Sequence, residues 1–292
     1  MCDETKLAQW ASGTISRRGF GALGGAGLAA ACAPMANSGL GMGNASNALR
    51  EQGVSFRTAD GTLDGFFVHP GDRATPGVVF WPDIAGLRDA KRDMARRLAA
   101  QGYAVLVVNP YYRDVAGERF SDFAAFVEND GFQAVKPWRA KLDAAAIMRD
   151  ATSAIAWLDG QDAVDSERGI GTQGYCMGGP FTIWTSAAVP GRVGAAASFH
   201  GGGLVRPDSQ TSPHRMLKSR TDYLIAIAQD DDKENPEAKT TLREVASARG
   251  VDAEIEVYSG DHGWTVPDSP AYDEAAAERA WSNLLQLYTT SL

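Results

Sequence analysis

Gly169-Ile170-Gly171-Thr172-Gln173-Gly174-Tyr175-Cys176-Met177-Gly178-Gly179 is the stretch on which the reading of this chain turns. It begins as a buried strand, passes through Gly-x-Cys-x-Gly and runs on into small and apolar residues that read as a helix. A strand that breaks sharply into a helix at Gly-x-nucleophile-x-Gly presents its central side chain on a strained turn, where Ser is the usual occupant. Glycines flank that residue because backbone and side chains crowd the turn from both sides. Cys176 is therefore the candidate nucleophile. It requires a base, an acid to orient the base, and donors for a developing oxyanion.

Composition sets the outer limits. With 292 residues, 44% of them hydrophobic, the chain is long enough for one large α/β domain. Its formal net charge of -8 argues against nucleic acid or an anionic membrane as a partner. No apolar run after residue 50 approaches the roughly 20 residues of a spanning helix. Of the three cysteines, Cys2 and Cys32 precede the globular part, which is left with Cys176 alone. A lone thiol excludes an intramolecular disulfide staple there.

The first 33 residues read as an export signal. Ser16-Arg17-Arg18-Gly19-Phe20 precedes a Gly/Ala-rich, weakly apolar run to Ala31, the pattern of a twin-arginine signal addressed to that export machinery. The expected location is periplasmic. Leu28-Ala29-Ala30-Ala31-Cys32 also resembles a weak lipobox, so Cys32 lipidation with a membrane anchor and ordinary cleavage around Ala33–Ala36 both stay open. Residues 34–50 read as a linker without periodicity, and 51–292 as the domain.

Along the domain, a hairpin is expected from Val54–Thr58 and Leu63–Val68 around Asp60-Gly61. Gly77–Trp81, Tyr103–Val108 and the elbow strand read as buried strands, and Val193–Phe199, Asp222–Ala228 and Ala253–Tyr258 as further strands. Between and after them lie helical patterns: Arg88–Gln101, Ala144–Leu158, Gly178–Ala188, Glu237–Arg249 and Tyr272–Tyr288, the last burying Trp281, Leu284, Leu285 and Tyr288. Tyr111 to about Trp138 is a polar, aromatic-rich excursion. Strands alternating with helices of this length give a mostly parallel sheet with helices on both faces. Ligands then bind outside the carboxyl ends of the strands. Asp83, Arg113, Cys176, His200, Asp231 and His262 all fall at such ends.

The order nucleophile, acid, His is that of an α/β-hydrolase. His262, in the loop after the last strand, is the expected base. His69 and His214 read as surface residues, and His200 as either pocket-lining or structural. Asp231 is the expected acid, with Asp230 and Asp232 remaining open. The backbone N–H groups of Met177 and Ile84 are the expected oxyanion donors. A helix N-terminus and an imidazole near Cys176 favour thiolate, whereas Asp83 would disfavour it and restrain the resting thiol. No paired-His spacing suggests a metal, and no cofactor is expected.

Gly174-Tyr175-Cys176-Met177-Gly178-Gly179 resembles the dienelactone hydrolase (carboxymethylenebutenolidase) family. So do Pro82-Asp83-Ile84-Ala85-Gly86, Pro110-Tyr111-Tyr112-Arg113 and Gly260-Asp261-His262-Gly263-Trp264, over roughly Gly53 to Leu292. The resemblance implies an α/β-hydrolase fold and a Cys-Asp-His hydrolase of lactones or small carboxylic esters working through an acyl-enzyme. It also implies that Asp83, Tyr112, Arg113, His200 and Trp264 line the substrate pocket or modulate the thiol. Two positions depart from the family pattern: Asp83 stands where Glu is usual, and Val266 where a substrate-binding Arg is usual. The rival expectation is a thiol redox or ligand-binding protein on a hydrolase scaffold.

Overall fold

A computed structural model describes residues 48–292. The export signal, the Cys32 alternatives and nearly all of the expected linker lie outside the described residues. The linker ends earlier than its composition suggests, because Leu49 and Arg50 already belong to the first strand, β1 (Leu49–Thr58).

Eight strands form one sheet in the order β1-β2-β4-β3-β5-β6-β7-β8. β1 turns at Asp60-Gly61 into β2 (Gly61–Pro70), and the pair is antiparallel, as is β2 with β4 (Ala104–Val108). From there, β3 (Gly77–Trp81), β5 (Ile170–Tyr175), β6 (Val193–Phe199), β7 (Asp222–Ala228) and β8 (Ala253–Tyr258) are all parallel. β3 and β4 are buried at every position because helices cover both faces, which is why they read as unbroken apolar runs.

Period-two alternation divides the core between those faces. Val79 and Trp81 point to one side, where α4 (Ala144–Asp159) and α5 (Gly179–Ala188) pack. Val78 and Phe80 point to the other, against α1 (Asp89–Ala99) and α8 (Glu274–Ser291). α8 buries Ala276, Ala277, Ala280, Leu284 and Tyr288. Trp281 and Leu285 of the expected stripe are only partly buried, because the buried face turns toward Ala277 and Ala280, and the Arg97 guanidinium covers the Trp281 ring at 4.2 Å. The aromatic excursion contains two short helices, α2 (Phe123–Glu128) and α3 (Gly131–Arg139). The acidic run after β7 is a helical turn, α6 (Gln229–Glu234), rather than a plain loop, and α7 (Ala238–Ala248) follows it.

Candidate active site

The elbow's shape follows from a division of labour between its residues. Cys176 itself takes the left-handed conformation, φ 53°, and only Asp130 and His200 share that sign among the described non-glycine residues. The glycines serve close approach instead. A Cβ on Gly174 would stand 2.0 Å from the Gly178 carbonyl oxygen, and one on Gly178 would stand 2.5 Å from that of Trp81. Both lie inside any real carbon–oxygen contact, so the turn can close against β3 only with glycine there. The chain then leaves through a single 3₁₀ turn, Cys176–Gly178, into α5.

A small cavity of about 20 Å³ lies over Cys176, lined by Asp83, Ile84, Phe123, His200, His262, Gly263, Val266 and Ser269. The neighbouring acidic turn assigns a different task to each carboxylate. Asp231 Oδ2 is 2.7 Å from His262 Nδ1. Asp230 Oδ1 accepts the His262 backbone N–H at 2.9 Å, and Asp232 is bound by the Lys239 ammonium at 2.7 Å. Burial, and then the neighbouring Asp231, raise the Asp230 carboxyl above its ordinary range. A carboxylate on Nδ1 leaves Nε2 as the nitrogen available for proton transfer.

His200 is built differently. Its Nδ1 accepts the backbone N–H of Cys176 at 3.1 Å, and its Nε2 lies 2.9 Å from Thr265 Oγ1. An acceptor at Nδ1 places the proton on Nε2, so Nε2–H donates to Thr265. The ring is buried, 5.0 Å from the His262 ring and 5.1 Å from that of Trp264. Burial first, then the His262 and Lys91 charges, push its pKa well below the ordinary imidazole value, so it is held neutral.

Asp83 lines the cavity, but its charge is spent elsewhere. Arg88 donates to both of its oxygens at 2.7 and 2.9 Å, the Lys91 ammonium stands 2.7 Å from Oδ2, and the Ala85 N–H donates to Oδ1. Burial alone would raise this carboxyl; Arg88 and Lys91 outweigh it and hold it below the usual carboxylate range. The expected neighbouring anion is thus present at the cavity, with its charge balanced by Arg88 and Lys91. It is the centre of a neutralised buried cluster. The loop it anchors is pinned again at the next residue, because the Tyr111 hydroxyl donates to the Ile84 carbonyl at 2.8 Å. The same oxygen lies 3.4 Å from Met177 Sδ, so one phenol ties together the two loops that carry the expected oxyanion donors.

Arg113 and Tyr112 are not brought to the cavity. Both Arg113 Nη atoms pair with Asp150 at 2.8 Å and Nη2 also reaches Asp60 at 2.7 Å, while the Tyr112 hydroxyl lies 2.7 Å from Asp150. The reason is local: Asp150 is buried on α4 and needs a cation and donors beside it. Trp264 supports rather than lines, stacked on Tyr258 behind the imidazoles. His214 is buried against Ser212 at 2.7 Å, not exposed as its Ser/Pro context suggests. Sequence reasoning missed Arg88, Lys91 and Asp268. The first two are charges on the inward stripe of a predicted helix, a signal that was present.

A mostly parallel sheet with a strained Cys turn and a His–Asp pair at its carboxyl edge defines an α/β-hydrolase. The dienelactone hydrolase family profile matches residues 63–292, and the chain belongs to that family. It is 27% identical over 233 residues to a Salmonella typhi protein provisionally named carboxymethylenebutenolidase, covering 77% of this chain and 82% of that one. Against the carboxymethylenebutenolidase of Pseudomonas putida it is 29% identical over 154 residues, 52% of this chain and 62% of the relative. A crystal structure of a provisional dienelactone hydrolase from Klebsiella pneumoniae superposes with a TM-score of 0.70 at 24% identity, covering 83% of this chain and 99% of that one.

Proposed function

We propose that this hydrolase opens lactones or cleaves small carboxylic esters through an acyl-enzyme on Cys176. The observation that carries the reading is the His262–Asp231 pair, 2.7 Å apart, on the same cavity as a cysteine held in the left-handed conformation. An imidazole alone would serve a thiol sensor by favouring thiolate, whereas one oriented by a carboxylate on its second nitrogen serves proton transfer in acyl exchange.

In this reading His262 Nε2 takes the thiol proton as Sγ attacks the carbonyl carbon. The carbonyl electrons move to oxygen, which the N–H groups of Met177 and Ile84 receive. Collapse expels the alcohol oxygen, protonated by His262, and leaves a thioester. Water, deprotonated by His262, adds to the thioester; the second collapse returns the thiol and releases the carboxylic acid. Asp231 holds the imidazole and stabilises its charge throughout. His200, bonded to the nucleophile's own backbone, is a positioning residue.

Cys176→Ala tests the proposal. Turnover of a small ester and lactone panel should disappear, as should the acyl adduct seen by intact-mass spectrometry in the wild type. Undiminished turnover would refute it. We further propose export through the twin-arginine machinery, which Arg17→Lys with Arg18→Lys should block, leaving unprocessed protein in the cytoplasm.

A further inference from the structure

The wall of the cavity facing Cys176 is electrically closed. Arg88 is fully buried beside it, and each of its donors is occupied. Nε donates to Asp268 at 2.7 Å; Nη1 donates to Asp83 and to the Gly86 carbonyl; Nη2 donates to Asp83 and Asp268. A guanidinium has five N–H donors, so none remains for a substrate. The Lys91 ammonium, also buried, is drawn to the far oxygen of Asp83 and over the Tyr175 ring at 4.9 Å. Asp268 additionally accepts the Phe123 N–H at 2.9 Å, so the same bridge fixes the excursion's first helix over the cavity.

What the cavity offers an acyl chain is Ile84, Phe123 and Val266, with Gly263 and Ser269 beside them. No lysine or arginine is among its lining residues. A carboxylate placed here would lose its water and gain no lysine or arginine in exchange, a costly transfer. At about 20 Å³ the cavity is small, which favours a short acyl chain.

We propose that the acyl half of the substrate is short and uncharged, and that the Asp83–Arg88–Asp268 bridge with Val266 and Phe123 sets this specificity. The inference rests on the hydrolase reading above and deepens it.

The test keeps the leaving group constant. The wild-type protein is given p-nitrophenyl propionate, p-nitrophenyl octanoate and the mono-p-nitrophenyl ester of succinic acid, at pH 7.5. The propionate should be cleaved with kcat/KM at least about tenfold above the octanoate and on the order of 100-fold above the succinate, as expected when a buried charge meets no partner. Ser269→Lys, a change at the half-buried mouth, should raise succinate turnover relative to propionate. Equal or preferential cleavage of the succinate by the wild type would overturn this inference and leave the hydrolase reading standing. Failure of every ester to acylate Cys176 would overturn both.

Discussion

Two imidazoles stand 5.0 Å apart beside Cys176, and their partners set them to different work. His262 has a carboxylate on Nδ1, which orients the ring and stabilises its cationic form. His200 has a backbone N–H on Nδ1 and a hydroxyl on Nε2, so a proton added to Nδ1 would break the bond to the nucleophile's backbone. One ring is built to change charge, the other to keep it. Proximity to a nucleophile therefore does not identify a base; the group on the second nitrogen does.

Exchanging the roles gives the largest expected effect. His262→Ala should lower kcat by about 10⁶-fold, on the scale seen when a triad base is removed. Steady-state ester hydrolysis would check it, and a loss under tenfold would remove His262 from proton transfer.

The carboxylates sharpen the same contrast. Asp231→Asn, which leaves the ring without its anion, should cost about 10⁴-fold in kcat. Asp230→Asn alters only its bonds from the His262 and Asp231 backbone N–H groups and should cost about tenfold. If the two losses were equal, the pairing of Asp231 with the ring would not matter to the chemistry.

His200 separates its two bonds through two replacements. Asn can offer an oxygen near the position of Nδ1, whereas Gln reaches toward that of Nε2. His200→Gln should therefore lower kcat about tenfold or more by leaving the buried Cys176 N–H unsatisfied, with His200→Asn retaining most of the activity. Equal losses in the pair would mean that the Cys176 bond carries no positioning role.

The smallest effect is on stability. His200 is held neutral in the fold, so below its ordinary value of 6.5 the unfolded chain takes up a proton that the native ring refuses. Stability should fall as pH drops through that value, by up to about 1.4 kcal/mol per pH unit. His262, Lys91 and Asp83 face the ring. Asp83, whose native carboxyl is depressed, loses its contribution only as pH falls below its ordinary 3.8, outside the window of pH 7 to 5. The melting temperature of the wild type should drop more across that window than that of His200→Asn. Parallel curves would contradict it.

The fold was largely legible because the buried strands advertise themselves. Gly77–Trp81, Val193–Phe199, Asp222–Ala228 and Ala253–Tyr258 have the same limits in the structure as in the pattern. Gly77–Trp81 is covered on both faces and carries no polar interruption, so its ends are sharp, whereas edge strand Ala253–Tyr258 is marked by alternation and closed by Ser259-Gly260. Arg113 and Tyr112 were misplaced for the opposite reason. Their context is a long polar excursion whose path no local pattern fixes, and their partner, Asp150, lies 37 residues further on.

The sequence alone determined the strand-to-helix turn at Cys176, the alternation of strands and helices, and the placing of Cys176, the acidic run and His262 after successive strands, because these depend on local spacing and backbone sterics. Tertiary structure alone decided which aspartate meets His262, that His200 binds the nucleophile's backbone, and that Asp83 is neutralised by Arg88 and Lys91. Those outcomes depend on atoms brought within about 3 Å by crossing the sheet. The side chains that make them look the same in the sequence whether they are paired or not.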